Sequence, residues 1–328
     1  MEARTPRFAA QILLFDTGSL VLRAIENCAP FVDSIYVSYS PHPWAYNQLA
    51  RGRYRNSCSP DIIDQSPHRN RITLLTGDWK TEEEQRNECL DRATADGFDY
   101  LIVQDADEFY TPLDYAANLQ AIRERPDFPY YRTPWQIFWK STQHVVVHRL
   151  VVTERSNRSV VQERQVSHNY SMAFALNLRT GVRFQRWRMP TQLNQCLILP
   201  GVCQHLSWVL SDAEVLRKIA TWGHTAQVAD PMLWYRVKWL GWTPASRNIS
   251  PISPASYVKV IPFDGNLAPE IVDFRPGFQA YKEPSFADIA RYSTIVLANQ
   301  VRVLSGEVRS KARKVADGAI ASTIRRPK

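Results

Sequence analysis

Gln104-Asp105-Ala106-Asp107-Glu108-Phe109 is the segment of this chain whose side chains carry the clearest chemistry. In extended backbone, residues two apart project to the same side. The spacing therefore predicts Asp105 and Asp107 as neighbouring carboxylates. Two such charges repel unless a cation lies between them. A hard divalent ion with oxygen ligands meets that need. Such an ion can bridge a diphosphate and stabilise the charge that develops as the diphosphate departs. Asp-x-Asp recurs by chance in many loops, and its bland reading is a solvated acidic turn. Position distinguishes this pair: it follows the nearly unbroken apolar run Tyr100-Leu-Ile-Val-Gln104. Such a run suits a central parallel strand covered on both faces, and open parallel sheets bind ligands outside the carboxyl ends of their strands.

The elements that must position this pair read as alternating strands and helices. Ala10-Gln-Ile-Leu-Leu-Phe15 has strand length, and Asp16-Thr-Gly-Ser19 supplies turn and cap chemistry. Leu20 to about Ala29 has helical periodicity and stops at Pro30. Ser34–Tyr39 and Arg71–Leu75 are further strands, separated by a Pro-, Arg- and Ser-rich stretch, 41–70, that reads as a long surface loop. Thr81-Glu-Glu-Glu84 is a capping box that opens a helix to about Ala95. Repeated strand–helix–strand units imply a parallel sheet with right-handed crossovers. Beyond Phe109 come short aromatic and β-branched runs: 128–133, Trp135–Trp139, 145–147 and 181–184. They predict mixed or antiparallel strands. Ser211-Asp-Ala-Glu214 is a second capping box, with Val215, Ile219 and Trp222 on one helix face. A Pro-rich stretch, 244–276, precedes a final helix from about Phe286.

The first 110 residues resemble the nucleotide-binding half of a GT-A-fold glycosyltransferase, in particular the family 2-like enzymes. The residues that carry the likeness are Ile12-Leu-Leu-Phe-Asp16, Glu84-Gln-Arg-Asn87 and Tyr100-Leu-Ile-Val-Gln-Asp-Ala-Asp-Glu108. The resemblance implies an α/β fold with a mostly parallel central sheet, helices on both faces and a helical C-terminal extension. It implies transfer of a sugar from a nucleotide-diphosphate donor to a glycan or other acceptor hydroxyl. It also implies that Asp105 contacts the donor's ribose or the ion and that Asp107 binds the ion. The turn after the first strand, Asp16 and Thr17, would line the nucleotide, and Arg86 with Asn87 would reach the base or phosphate. A histidine late in such domains often completes the coordination, and His205 in Cys203-Gln-His205-Leu-Ser207 resembles that position. The expected cofactor is Mn²⁺ or Mg²⁺, with an imidazole favouring Mn²⁺ somewhat. Where family members commonly carry an acidic base-reading residue, this chain has Val37-Ser-Tyr-Ser40, so the nucleotide is left open.

Bland readings stand beside these. Arg86 fits a helix-surface pair with Glu82 or Glu83. His205 fits a core histidine, and its rival His224 fits packing beside Trp222. The clustered tryptophans fill cores more often than they bind sugars. Arg186 and Arg188 suit either phosphate or the surface. An inverting enzyme needs a general base. Glu163, Asp212 and Asp230 are all candidates, and none is assigned.

Composition narrows the classes. The 328 residues are 45% hydrophobic and 22% charged, which is globular and excludes disorder, collagen and coiled coil. Net charge is +8, yet 302–328 holds eight basic against two acidic side chains. The body is thus nearly neutral, unlike a nucleic-acid binder. That basic tail follows an apolar stretch and offers peripheral contact with anionic lipid; its bland reading is a frayed terminus. No apolar run crosses a bilayer and no secretory signal is present, which makes the cytoplasm the expectation. Cys28, Cys58, Cys89, Cys196 and Cys203 form neither a zinc nor a disulfide pattern. Asn157, Asn169 and Asn248 head chance glycan-acceptor triplets. The domain reading is a catalytic domain over 1–210, divided near 110, then a helical region over 211–300 and a basic tail over 301–328. Two other classes remain, a sugar nucleotidyltransferase and a non-catalytic glycosyltransferase-like binding module. Asp16-Thr-Gly-Ser19 is a poor substitute for the former's Gly-rich phosphate loop.

Overall fold

A computed structural model describes residues 4–46, 48–149, 165–166, 170–192, 195–277, 281–298 and 301. Four parallel strands form its frame: β1 (Phe8–Leu14), β2 (Ser34–Tyr39), β3 (Ile72–Thr76) and β4 (Tyr100–Val103). Their spatial order is β3-β2-β1-β4, with Ala10 beside Ile35 and Ile102. Helix α1 (Leu20–Cys28) joins β1 to β2, and α3 (Glu82–Ala95) joins β3 to β4. Every residue of β1 is buried because the sheet is covered on both faces. Alternate β1 side chains enter two different cores. Phe8, Ala10, Ile12 and Leu14 meet α1's Val21, Ile25 and Cys28, whereas Ala9 meets α3's Cys89, Leu90 and Ala93. That is the period-two alternation of a strand between two helical layers.

Both capping boxes form. Thr81 accepts from the Glu84 amide while Glu84 reaches back, and Ser211 with Glu214 does the same. The stretch 41–70 differs from a plain loop. It contains α2 (Gln48–Arg53) and 3₁₀ turns at Pro60–Gln65 and Arg69–Arg71, and it buries Cys58 and Ile63.

After β4 the chain forms β5 (Glu108–Phe109), α4 (Pro112–Glu124), β6 (Tyr130–Trp139), β7 (Ser141–Arg149), β8 (Gln165–Val166) and β9 (Tyr170–Asn177). β9 lies antiparallel to both β4 and β6, so the sheet continues as β4-β9-β6-β7. The two aromatic runs at 128–139 are one strand. A small hairpin follows, β10 (Phe184–Arg186) and β11 (Met189–Pro190), then β12 (Cys196–Ile198), β13 (Cys203–Trp208) and α5 (Asp212–Thr221). The architecture is α/β, a mixed sheet that is parallel across β3-β2-β1-β4 and has helices on both faces.

The chain divides into two compact units, 1–227 with 260–279, and 228–259 with 280–328. Helix α5 belongs to the first. In the second, α6 (Pro231–Trp234) runs on into a wider helical turn at Tyr235–Leu240, and residues 286–298 are helical. Trp234 and Trp239 are buried there, and the Trp234 indole donates to the Ile249 carbonyl at 2.8 Å. Among the described residues, no helix is long and apolar enough to cross a membrane. The basic stretch 302–328, Glu163, Asn157, Asn169 and His168 lie outside the described residues.

Candidate active site

β1 and β4 are adjacent and parallel, yet the chain leaves them toward opposite sides of the sheet, from β1 to β2 and from β4 through α4 to β6, which lies beyond β9. This is a topological switch point, where the loops at the strand ends separate and leave a crevice. Asp16 and Thr17 follow β1, and Asp105 and Asp107 follow β4.

Asp105–Glu108 is a turn, closed by the Glu108 amide donating to the Asp105 carbonyl at 3.0 Å. This corrects the extended backbone expected from the spacing. The cause lies in the buried Gln104, whose amide donates to the Glu108 carbonyl at 2.9 Å and to Asn27 Oδ1 at 3.1 Å. Strand β13 closes the other side. It pairs antiparallel with β5, His205 opposite Glu108, and the Leu206 amide donates to the Asp107 carbonyl at 2.7 Å.

The turn sends its carboxylates to different partners. Arg86 Nη2 donates to both Asp105 oxygens, at 2.9 and 2.8 Å, and Arg188 Nη1 to one of them at 3.1 Å. Burial raises the Asp105 pKa, but Arg86 and then Arg188 outweigh it and hold the carboxyl below its usual range. Arg86 also donates through Nε to Glu82 at 2.8 Å, so its helix-surface pair and its site contact coexist on a buried side chain. Arg188 is buried as well, its side chain 4% exposed. It grips both oxygens of the fully buried Glu108 and donates to the Val103 and Ala173 carbonyls. A surface role for Arg188 is thereby excluded.

Asp107 faces His205 Nε2 at 3.4 Å and Lys218 Nζ at 3.7 Å. Its burial is opposed by His205 first and Lys218 next, and the carboxyl is held well below the ordinary range. Lys218 comes from α5, and its ammonium also donates to the Ser207 carbonyl and hydroxyl, each at 2.8 Å. Burial lowers the Lys218 pKa, and Asp107 resists that shift. The His205 ring lies 4.1 Å from the Trp135 ring, and its Nδ1 is buried without a hydrogen-bond partner.

The remaining expected residues serve the frame of the site. Asp16 adopts φ +55; its carboxylate accepts from the Ser57 amide and hydroxyl at 2.8 Å and from Arg217 Nε at 2.5 Å. Thr17 Oγ1 lies 3.9 Å from Cys58 Sγ, which also accepts from the Gly18 amide. Both are thus held against the 55–58 segment. The Asn87 amide exchanges two hydrogen bonds with the Phe184 backbone, at 2.9 and 3.1 Å, and anchors the β10 hairpin. Asp212 is buried and electrostatically coupled to Lys140. Asp230 caps α6 and pairs with Arg291 at 2.7 Å. Neither is poised as a base. His224 packs between Trp187 and Trp222, tilted to the first and edge-on to the second.

Could these residues hold a divalent ion? Among the described residues, no group of three or more His, Cys, Asp or Glu side chains is arranged around a common point. The expected set of Asp105, Asp107 and His205 is therefore not assembled as three ligands, because guanidiniums occupy Asp105. Asp107 and His205 do face each other. One carboxylate and one imidazole fit an ion that takes its other ligands from phosphate oxygens and water.

Arg188 and Lys218 are the residues sequence reasoning missed as counter-charges. Their partners lie 80 and 111 positions away in the chain, and no local spacing signals them.

No family model and no curated protein matches this chain. Among solved structures it is similar to 4-diphosphocytidyl-2C-methyl-D-erythritol synthase from Anaerococcus prevotii. That likeness has 12% identity and a TM-score of 0.32, over 60% of this chain and 87% of that one. It is similar also to S. aureus TarS 1–349, with 10% identity and a TM-score of 0.35, over 71% and 72%. At these scores neither likeness bears on the site, and the fold rests on the strand order and register above.

Proposed function

We propose that the protein is a glycosyltransferase that moves a sugar from a nucleoside-diphosphate donor to an acceptor hydroxyl. The observation that carries this reading is the charge layout at the switch point. There two quarter-exposed carboxylates stand together, Asp105 caged by the buried Arg86 and Arg188 and Asp107 facing the partly exposed Lys218. An ion held by Asp107 and His205 would supply charge stabilisation to the departing diphosphate. Lys218 adds a fixed positive charge at the same place, where such charge costs no reorganisation during reaction. Asp105 is kept ionised and oriented by two arginines, so it is a ready acceptor for a sugar hydroxyl of the donor. Glu108, fully buried on Arg188, supports the cage and does not reach substrate. The reading assigns no general base and hence no stereochemical outcome.

A screen of nucleotide sugars by thermal shift, with and without Mn²⁺, tests the proposal. A ligand that binds the native state raises its melting temperature by mass action. The expected result is a Mn²⁺-enhanced rise for one nucleotide-sugar class. No rise for any donor, in either condition, counts against it.

A further inference from the structure

Five partly exposed rings from three segments lie together: Trp44 and Tyr46, Trp187, and Trp222 with His224. His224 bridges two of them, 4.9 Å from Trp187 and 4.9 Å from Trp222. Trp44 and Tyr46 stand 6.1 Å apart in an edge arrangement. They border Gly223, where an added Cβ would lie 3.3 Å from Tyr46 and 3.8 Å from Trp44. The core tryptophans Trp139 and Trp208, in contrast, are 0% and 2% exposed.

Three observations set this cluster apart from ordinary core packing. Trp187 holds φ +52, a conformation that a bulky L-residue adopts only at a cost. Full burial of its ring does not repay that cost, since the ring stays partly exposed. What fixes it is a hydrogen bond from its amide to Glu83 Oε2 at 3.1 Å and the Arg186 guanidinium 4.3 Å from its ring. Next, the rings have a polar rim. Glu83 also accepts from the Tyr46 hydroxyl at 2.8 Å, and His224 Nδ1 pairs with Gln227 at 2.8 Å. Last, the cluster is linked to the turn through two sets of intermediates. Trp187 precedes Arg188, which grips Asp105. Trp222 lies 5.7 Å from Trp208, and the Trp208 ring is 5.3 Å from Lys218 Nζ, itself beside Asp107.

We infer that this cluster is an acceptor subsite that binds a pyranose, its C–H face on the Trp187 and Trp222 rings and its hydroxyls on the polar rim. Flat apolar faces bordered by a few fixed hydrogen-bonding groups are the mixture a sugar ring presents in reverse. The Glu83 carboxylate and the His224 ring keep further hydrogen-bonding capacity beyond the contacts above, which sugar hydroxyls can use and a lipid chain or an apolar peptide cannot. The inference rests on the glycosyltransferase reading for the word acceptor, and the binding itself stands without it.

The test uses the full chain, a panel of methyl pyranosides and disaccharides, and intrinsic tryptophan emission as the readout. At least one saccharide should give a saturable change. Trp222→Ala should weaken that binding at least tenfold and Trp222→Phe should retain most of it, with circular dichroism melts reporting that each variant folds. Trp187→Ala is the second arm, should Trp222→Ala fail to fold. Response to nucleoside alone would make the rings a base platform and overturn the inference. So would response only to lipid vesicles, or no saturable response to any saccharide. Saccharide binding without turnover would remove the transferase reading alone. Turnover with an unchanged acceptor KM in Trp222→Ala would remove this subsite alone.

Discussion

Asp105 and Asp107 belong to one turn, are the same residue type and are almost equally exposed, at 26% and 25% of the side chain. Their surroundings nevertheless differ in kind. Asp105 is caged by two guanidiniums that sit in the fold as permanent counter-charges. Asp107 faces an imidazole and an ammonium across longer gaps. The first carboxylate is neutralised by the fold and left to accept a hydroxyl, whereas the second leaves room for a cation. Burial and distant partners, and not residue type or spacing, divide the labour between two aspartates two positions apart.

The sharpest break in that comparison is Asp107→Ala. Turnover is expected to fall at least about 10²–10³-fold, the order seen when one transition-state charge stabiliser is removed. The melting temperature should fall only modestly at neutral pH, because the lost carboxylate has single contacts to His205 and Lys218 and no bidentate partner. Steady-state kinetics alongside thermal melts check both halves.

The caged side should break differently. Arg188→Met leaves Glu108 buried without its counter-ion, a loss of about 3–5 kcal/mol. Chemical denaturation measures it, and the double variant Arg188→Met/Glu108→Leu should recover much of the stability. If the single variant is as stable as the parent, the cage is not what holds the turn.

Asp105→Asn keeps the shape of the side chain and discards its charge. The loss of one charge-assisted hydrogen bond, about 1.5–3 kcal/mol, predicts donor binding weaker by roughly tenfold or more. Calorimetric titration with the donor reads this, and unchanged affinity would sever Asp105 from the nucleotide.

The smallest effect concerns acid. The Asp107 carboxyl titrates below the ordinary value of about 3.9, so the fold favours its ionised form. That contribution is fully present above about pH 4 and is lost as the pH falls through the lower folded value. The difference in melting temperature between the parent and Asp107→Asn should therefore shrink below about pH 4. A difference that grows on acidification contradicts the assignment.

Much of the frame was legible because its signals are local. The apolar run of β4 and the capping boxes at Thr81 and Ser211 each declare their own element. Segment 41–70 hid α2 because Gln48–Arg53 has a single buried residue, Ala50, and so no apolar periodicity. Within the site, the placement of Asp105 and Asp107 at a strand end was readable, and so was the approach of His205 to Asp107. The cage was not. Arg188 sits in a short polar hairpin, and nothing near it in sequence reveals that β9, β4 and Glu108 enclose it. The partners of Asp16 and Asn87 were hidden for the same reason. The hydrogen-bonding groups of these two residues are spent on Ser57, Arg217 and Phe184, partners that only tertiary packing supplies.

The most direct measurement is the phosphorus-containing product released when the 328-residue chain meets a nucleotide sugar and an acceptor with Mn²⁺. The account predicts nucleoside diphosphate from the parent chain and none from a folded Asp107→Ala. Pyrophosphate in place of nucleoside diphosphate, or undiminished release from the variant, would contradict it.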